Sequence, residues 1–145
     1  MMNSLYLLLK KIKNKYQIMP DNILAHSDVA PFRKIDPGST FPWLKLHKKK
    51  IVFMPNYIRK KNILEIYNWF NKNKIKSRKT IAIIVLSFIG YNVSNTQNKN
   101  SLYKKLIYNY QSHFMQKNLT GKADTKTLNY IISHYLTLLL TQSKI

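Results

Sequence analysis

His26 and Asp36 lie ten positions apart in the segment Ile23-Leu24-Ala25-His26-Ser27-Asp28-Val29-Ala30-Pro31-Phe32-Arg33-Lys34-Ile35-Asp36-Pro37-Gly38. An imidazole and a carboxylate are zinc donors. On a loop stiffened by Pro31 and Pro37 and followed by the permissive Gly38, they amount to two of the three protein ligands of an open zinc site. Lys34, two residues before the carboxylate, adds a cation that can face the same centre. The expectation is that the third ligand does not lie in this chain.

These residues need elements to hold them. Ser4 can cap a helix whose apolar positions Leu5, Leu8, Leu9, Ile12 and Tyr16 follow the helical period. Pro20-Asp21-Asn22 breaks the chain, and Ile23-Leu24-Ala25 reads as a short buried strand that delivers His26 at its end. From His26 to Trp43 the prolines and Gly38 predict an irregular loop. A helix is expected around Asn62 to Phe70, then a linker rich in Asn and Lys over 71–79. Beyond it, Thr80 to Ile89 reads as an apolar helix closed by Gly90, where a left-handed cap needs a residue without a side chain. A second helix carries Leu102, Leu106, Ile107, Tyr110 and Phe114. Gly121 makes a turn, and Asp124 is placed to cap a third helix bearing Leu128, Ile131, Ile132, Tyr135 and Leu136.

Composition bounds the function classes. The chain has 145 residues and is 45% hydrophobic, enough for one ordinary domain or two small ones with packed cores. Cysteine is absent, which excludes disulfides, thiol nucleophiles and cysteine-ligated zinc. The formal charge of +20 would attract polyanions. Yet Arg33, Arg59 and Arg78 are the only arginines, whereas groove readers and phosphate clamps lean on arginine's bidentate fork. The charge therefore reads as a solvated, lysine-biased surface. Neither Leu5–Leu9 nor Ile81–Ile89 is long enough for a signal h-region or a membrane span, so the sequence reads as soluble and without an export signal.

The segment from His26 to Gly38, followed by Phe41-Pro42-Trp43, resembles the C-terminal zinc-site motif of the type 2 N-acetylmuramoyl-L-alanine amidases, the AmpD/AmiD group. The tail resembles the peptidoglycan-binding domain of AmiD-like members through Gly90-Tyr91, Tyr110-Gln111-x-His113-Phe114 and Gly121-x-x-Asp124-x-x-Thr127. The resemblance implies zinc-dependent hydrolysis of the amide between N-acetylmuramic acid and the L-alanine of the stem peptide. His26 then matches the second metal ligand, Asp36 the third, and Lys34 the residue that stabilises the oxyanion.

The same resemblance implies an α/β family fold, a mixed sheet with helices, of which this chain would supply a truncated and mostly α-helical part. It divides the chain into the C-terminal portion of an amidase domain over 1–70, a linker over 71–79 and a three-helix peptidoglycan-binding-like domain over 80–145. The family's first ligand histidine and its general-base glutamate have no counterpart. His47, His113, His134 and Glu65 do not occupy the matching positions. The site is thus expected to be an incomplete zinc site, inactive on its own. Its partners would be peptidoglycan or muropeptides and a missing N-terminal amidase fragment, in the cell envelope if relatives are a guide. The alternatives are an inactive remnant, a peptidoglycan-binding module, or a basic nucleic-acid binder driven by charge alone. Asp28 and Ser27 are expected to brace the loop, Phe41 and Trp43 to pack, and the N-terminal third to be poorly packed.

Overall fold

The computed structural model describes residues 2–56 and 59–142; residue 1 and residues 143–145, at the outer ends of the two expected sections, fall outside it. Its elements are α1 (Met2–Tyr16), a 3-10 turn (Pro20–Asn22), α2 (His26–Val29), α3 (Trp43–Lys48), α4 (Lys60–Lys72), α5 (Arg78–Ile89), α6 (Asn100–Phe114) and α7 (Thr125–Gln142). No strand occurs among the described residues. The expected strand at Ile23–Ala25 is therefore corrected. The backbone there is extended, at φ −98°, ψ 100° for Ile23 and φ −80°, ψ 157° for Ala25. It pairs with no neighbouring strand, and one strand alone makes no sheet.

The main core gathers Ile81, Val85 and Leu86 of α5, Leu106, Ile107 and Tyr110 of α6, and Leu128, Ile131 and Ile132 of α7. Local signals set the ends of these helices. The Thr80 N–H donates to Ser77 Oγ (3.3 Å) at the start of α5, and Gly90 closes it at φ 110° with its N–H on Leu86 O (3.2 Å). The Thr127 N–H donates to Asp124 Oδ1 (2.7 Å), so Asp124 caps α7 as expected. Gln111 ties the motif residues of the tail together. Its Nε2 donates to Thr127 Oγ1 (2.9 Å) and Thr120 Oγ1 (3.0 Å), while its Oε1 accepts from the Gly121 N–H (2.8 Å).

Helix α4 takes in the first two residues of the expected linker. Phe70 is buried in the main core, and Tyr67 donates to Asn129 Oδ1 (2.8 Å), which binds α4 to α7. A second, smaller core holds Ala25, Trp43, Leu46, Ile51 and Val52, with Met2, Tyr6 and Leu9 of α1 against it. Helix α1 already includes Met2 and Asn3, so Ser4 lies inside it and is not its cap. Helix α1 buries no residue fully and leaves Leu7, Leu8 and Tyr16 more than half exposed. None of the described helices is long and apolar enough to cross a membrane.

A candidate metal loop seated on helix α6

His26 opens the short helix α2 instead of ending a strand. Ala25 precedes it in extended geometry, and the Asp28 carboxylate reaches back to accept the Ala25 N–H through Oδ2 (2.7 Å). This bond satisfies a donor left free at the helix start and fixes where α2 begins. The chain then turns through Pro31 and Pro37 and returns, so that the Ser27 N–H donates to Asp36 O (3.2 Å). Gly38 takes φ 81° at the end of the loop, a left-handed conformation that glycine adopts without strain.

The result brings the two expected ligands together. His26 Nδ1 and Asp36 Oδ2 lie 2.7 Å apart, and the side chains are 68% and 58% exposed. The imidazole hydrogen bond holds the Asp36 carboxyl below its ordinary range, with the His26 and Lys34 charges adding to the effect. Both residues line a groove of about 280 Å³ between α1 and the loop, floored by Leu9, Ile23, Phe41, Trp43 and Leu46. Lys34 is exposed and lines a different groove, between the loop and α6, alongside Arg33, Lys104, Lys105 and Tyr108. Its charge reaches Asp36, but its side chain does not share the groove of the pair.

These donors fit two positions of a zinc site. Neighbouring ligands about a tetrahedral zinc sit roughly 3.4 Å apart, so the 2.7 Å contact is a hydrogen bond that would open by less than 1 Å around a cation. A third donor is not at hand, for no group of three or more His, Cys, Asp or Glu that could hold a metal occurs among the described residues. The other histidines are engaged elsewhere. His47 Nδ1 lies 3.1 Å from Val52 O, and His134 Nδ1 lies 3.2 Å from the Tyr110 hydroxyl. Glu65 is exposed on α4.

Asp28 braces the loop as expected, through the Ala25 N–H; what sequence reasoning missed is its pairing with His113 and Tyr91. Asp28 is a buried hub whose Oδ1 accepts from the Tyr91 hydroxyl (2.7 Å) and whose Oδ2 lies 2.6 Å from His113 Nδ1. Burial, reinforced by the Asp28 charge, pushes the Tyr91 hydroxyl well above its ordinary range and keeps it a neutral donor. His113 is itself sandwiched, with ring centroids 3.7 Å from Trp43 and 3.8 Å from Phe114. Trp43 packs as expected. The available signal was an aspartate next to a small buried segment, which needs donors or a cation, in a chain with few histidines.

No protein-family model matches the chain. Among curated proteins it is 30% identical over 123 residues to the N-acetylmuramoyl-L-alanine amidase AmiD of Escherichia coli (strain K12), covering 83% of this chain and 42% of that protein. It is 52% identical over 33 residues to the 1,6-anhydro-N-acetylmuramyl-L-alanine amidase AmpD of Enterobacter cloacae, covering 23% of this chain and 18% of that one. Among solved structures it is similar to Escherichia coli AmiD in complex with the substrate anhydro-N-acetylmuramic acid-L-Ala-D-gamma-Glu-L-Lys. There the TM-score is 0.73 at 27% identity, over 97% of this chain and 51% of that one. It is likewise similar to AmpDh3 of Pseudomonas aeruginosa, with a TM-score of 0.71 at 26% identity over 91% and 50%. The chain thus spans about half or less of each relative.

Proposed function

This chain is homologous to the AmiD and AmpD N-acetylmuramoyl-L-alanine amidases over part of their length, and from that premise we propose that it carries one half of a zinc-dependent peptidoglycan amidase site. The reaction is hydrolysis of the amide between N-acetylmuramic acid and L-alanine. The observation that carries this reading is the 2.7 Å pairing of His26 Nδ1 with Asp36 Oδ2 at the rim of a groove with an apolar floor.

In this reading His26 and Asp36 are metal ligands. Zinc, when bound, supplies an acidified water and a polarised carbonyl. Lys34 swings its ammonium from the neighbouring groove toward the scissile carbonyl and stabilises the negative charge that develops on its oxygen. The third ligand and the proton acceptor come from a segment equivalent to the part of the relatives that these residues do not match. Residues 1–70 then form the amidase portion, 71–79 the connection, and 80–145 a peptidoglycan-binding-like unit.

The test is reconstitution. The chain alone should release no stem peptide from muropeptides above background. Supplied with the N-terminal half of an AmiD-type amidase, fused or as a separate chain, it should hydrolyse them in a zinc-dependent way that His26→Ala and Asp36→Ala each abolish. Zinc-dependent release by the chain alone would refute the half-site reading.

A further inference from the structure

Helix α6 presents Asn109 and His113 to the loop at a spacing of four residues, and Gln116, just past the helix end, reaches the same loop. Each acts as a donor. Asn109 Nδ2 donates to Pro31 O (2.8 Å) and Lys34 O (3.0 Å), and Gln116 Nε2 donates to Ser39 O (2.5 Å) and Phe41 O (2.7 Å). His113 Nδ1 engages Asp28 Oδ2 (2.6 Å). The five bonds fall at residues 28, 31, 34, 39 and 41, so they bracket Lys34 and Asp36 on both sides and hold the chain two residues after His26.

We propose that Asn109, His113 and Gln116 are positioning residues, through which the tail helix templates the loop carrying His26, Lys34 and Asp36. The inference rests on the reading of that loop as reactive. Four of the five acceptors are backbone carbonyls, so the contacts dictate the path of the loop and not merely its packing. Asn109 is 2% exposed. An apolar residue would fill that space at lower desolvation cost, and the amide is accounted for by the two carbonyls it fixes. Across its width the loop is joined by the Ser27 N–H to Asp36 O bond and by the His26–Asp36 side-chain pair.

The experiment uses the full chain and three variants: Gln116→Met and Asn109→Leu, which keep bulk and lose the donors, and Gln116→Lys, which keeps a donor at similar reach. Lys105→Ala on the exposed side of α6 is the control. Amide hydrogen exchange by NMR reads the Ser27 amide against Ile131 and Ile132 of α7, and titration with zinc ion alone reads the ligand pair. Gln116→Met and Asn109→Leu should speed exchange at Ser27 by about 10-fold or more while α7 stays protected. Zinc affinity should fall in the same order, and Gln116→Lys should restore both. Unchanged Ser27 protection in the two donor-deleted variants overturns the proposal. So does an equal loss of protection at Ser27 and α7, which would mark a general stability effect. If Ser27 opens as expected but the wild-type chain takes no zinc, the template stands and the metal reading falls.

Discussion

Asp28 and His113 are separated by 85 residues of chain and by 2.6 Å of space. Their side chains are 4% and 2% exposed, so water reaches neither partner of the bond. Asp28 is saturated by Tyr91, Ala25 and His113, while His113 Nε2 is buried with no hydrogen-bond partner. The loop that carries His26 and Asp36 and the main helical core therefore meet through a polar contact whose members depend on one another.

Breaking that contact should cost more than losing any surface bond. His113→Ala leaves a buried carboxylate without one of its hydrogen-bond partners and should lower stability by about 1–3 kcal/mol. Urea unfolding checks this. The double variant Asp28→Leu with His113→Leu should lose less than the sum of the single changes, since neither leaves the other orphaned. Additive losses, or a His113→Ala effect below about 1 kcal/mol, would contradict the coupling.

Much of this was legible in the sequence, and what was missed shares one cause. The helical period placed α1, α4, α5, α6 and α7, and Gly90 and Asp124 marked helix ends because capping chemistry is local. The pairing of His26 with Asp36 also followed from a short, proline-stiffened loop. The strand at Ile23–Ala25 was misread because a short apolar run looks the same whether or not a partner strand exists. The His113, Asn109 and Gln116 contacts span 75 to 85 residues, and nothing local in a helix tells which of its polar side chains will face a distant loop.

Acid should weaken the main core through His134. Burial, and next the charge of His113, push this imidazole down to about 3, against a smaller opposing pull from Asp28. The folded state thus holds His134 neutral while the unfolded chain takes up the proton near pH 6.5. Its contribution is complete above pH 6.5 and is lost as pH falls toward 3, by about 2 kcal/mol at pH 5. Asp36 and Asp124, whose carboxyls are held low by hydrogen bonds, add their losses only below about pH 4. Urea unfolding at pH 7 and pH 5 should show the drop in the wild type, and His134→Phe should flatten it. An equal drop in the variant would assign the acid sensitivity elsewhere.

Zinc binding by the chain alone should be weak and substoichiometric at neutral pH, because a two-donor site leaves the imidazole and carboxylate in competition with water and with each other. Either His26→Ala or Asp36→Ala should remove it in a calorimetric titration. One tight site lost in both variants would mean that the chain supplies a third ligand after all.

Lys34 gives the sharpest separation between holding the metal and using it. Its backbone carbonyl is anchored by Asn109, but its side chain is exposed and lines the groove next to that of the His26–Asp36 pair. In the reconstituted enzyme Lys34→Ala should therefore spare zinc affinity and fold stability. Turnover should fall by roughly the 10²–10³-fold typical of losing one oxyanion donor. Lys34→Arg keeps the charge on a longer, planar head and should recover part of that loss. Parallel measurement of zinc affinity and turnover decides the matter. A Lys34→Ala variant that loses metal and activity together would make Lys34 a brace of the loop, and one that keeps full turnover would remove it from the chemistry.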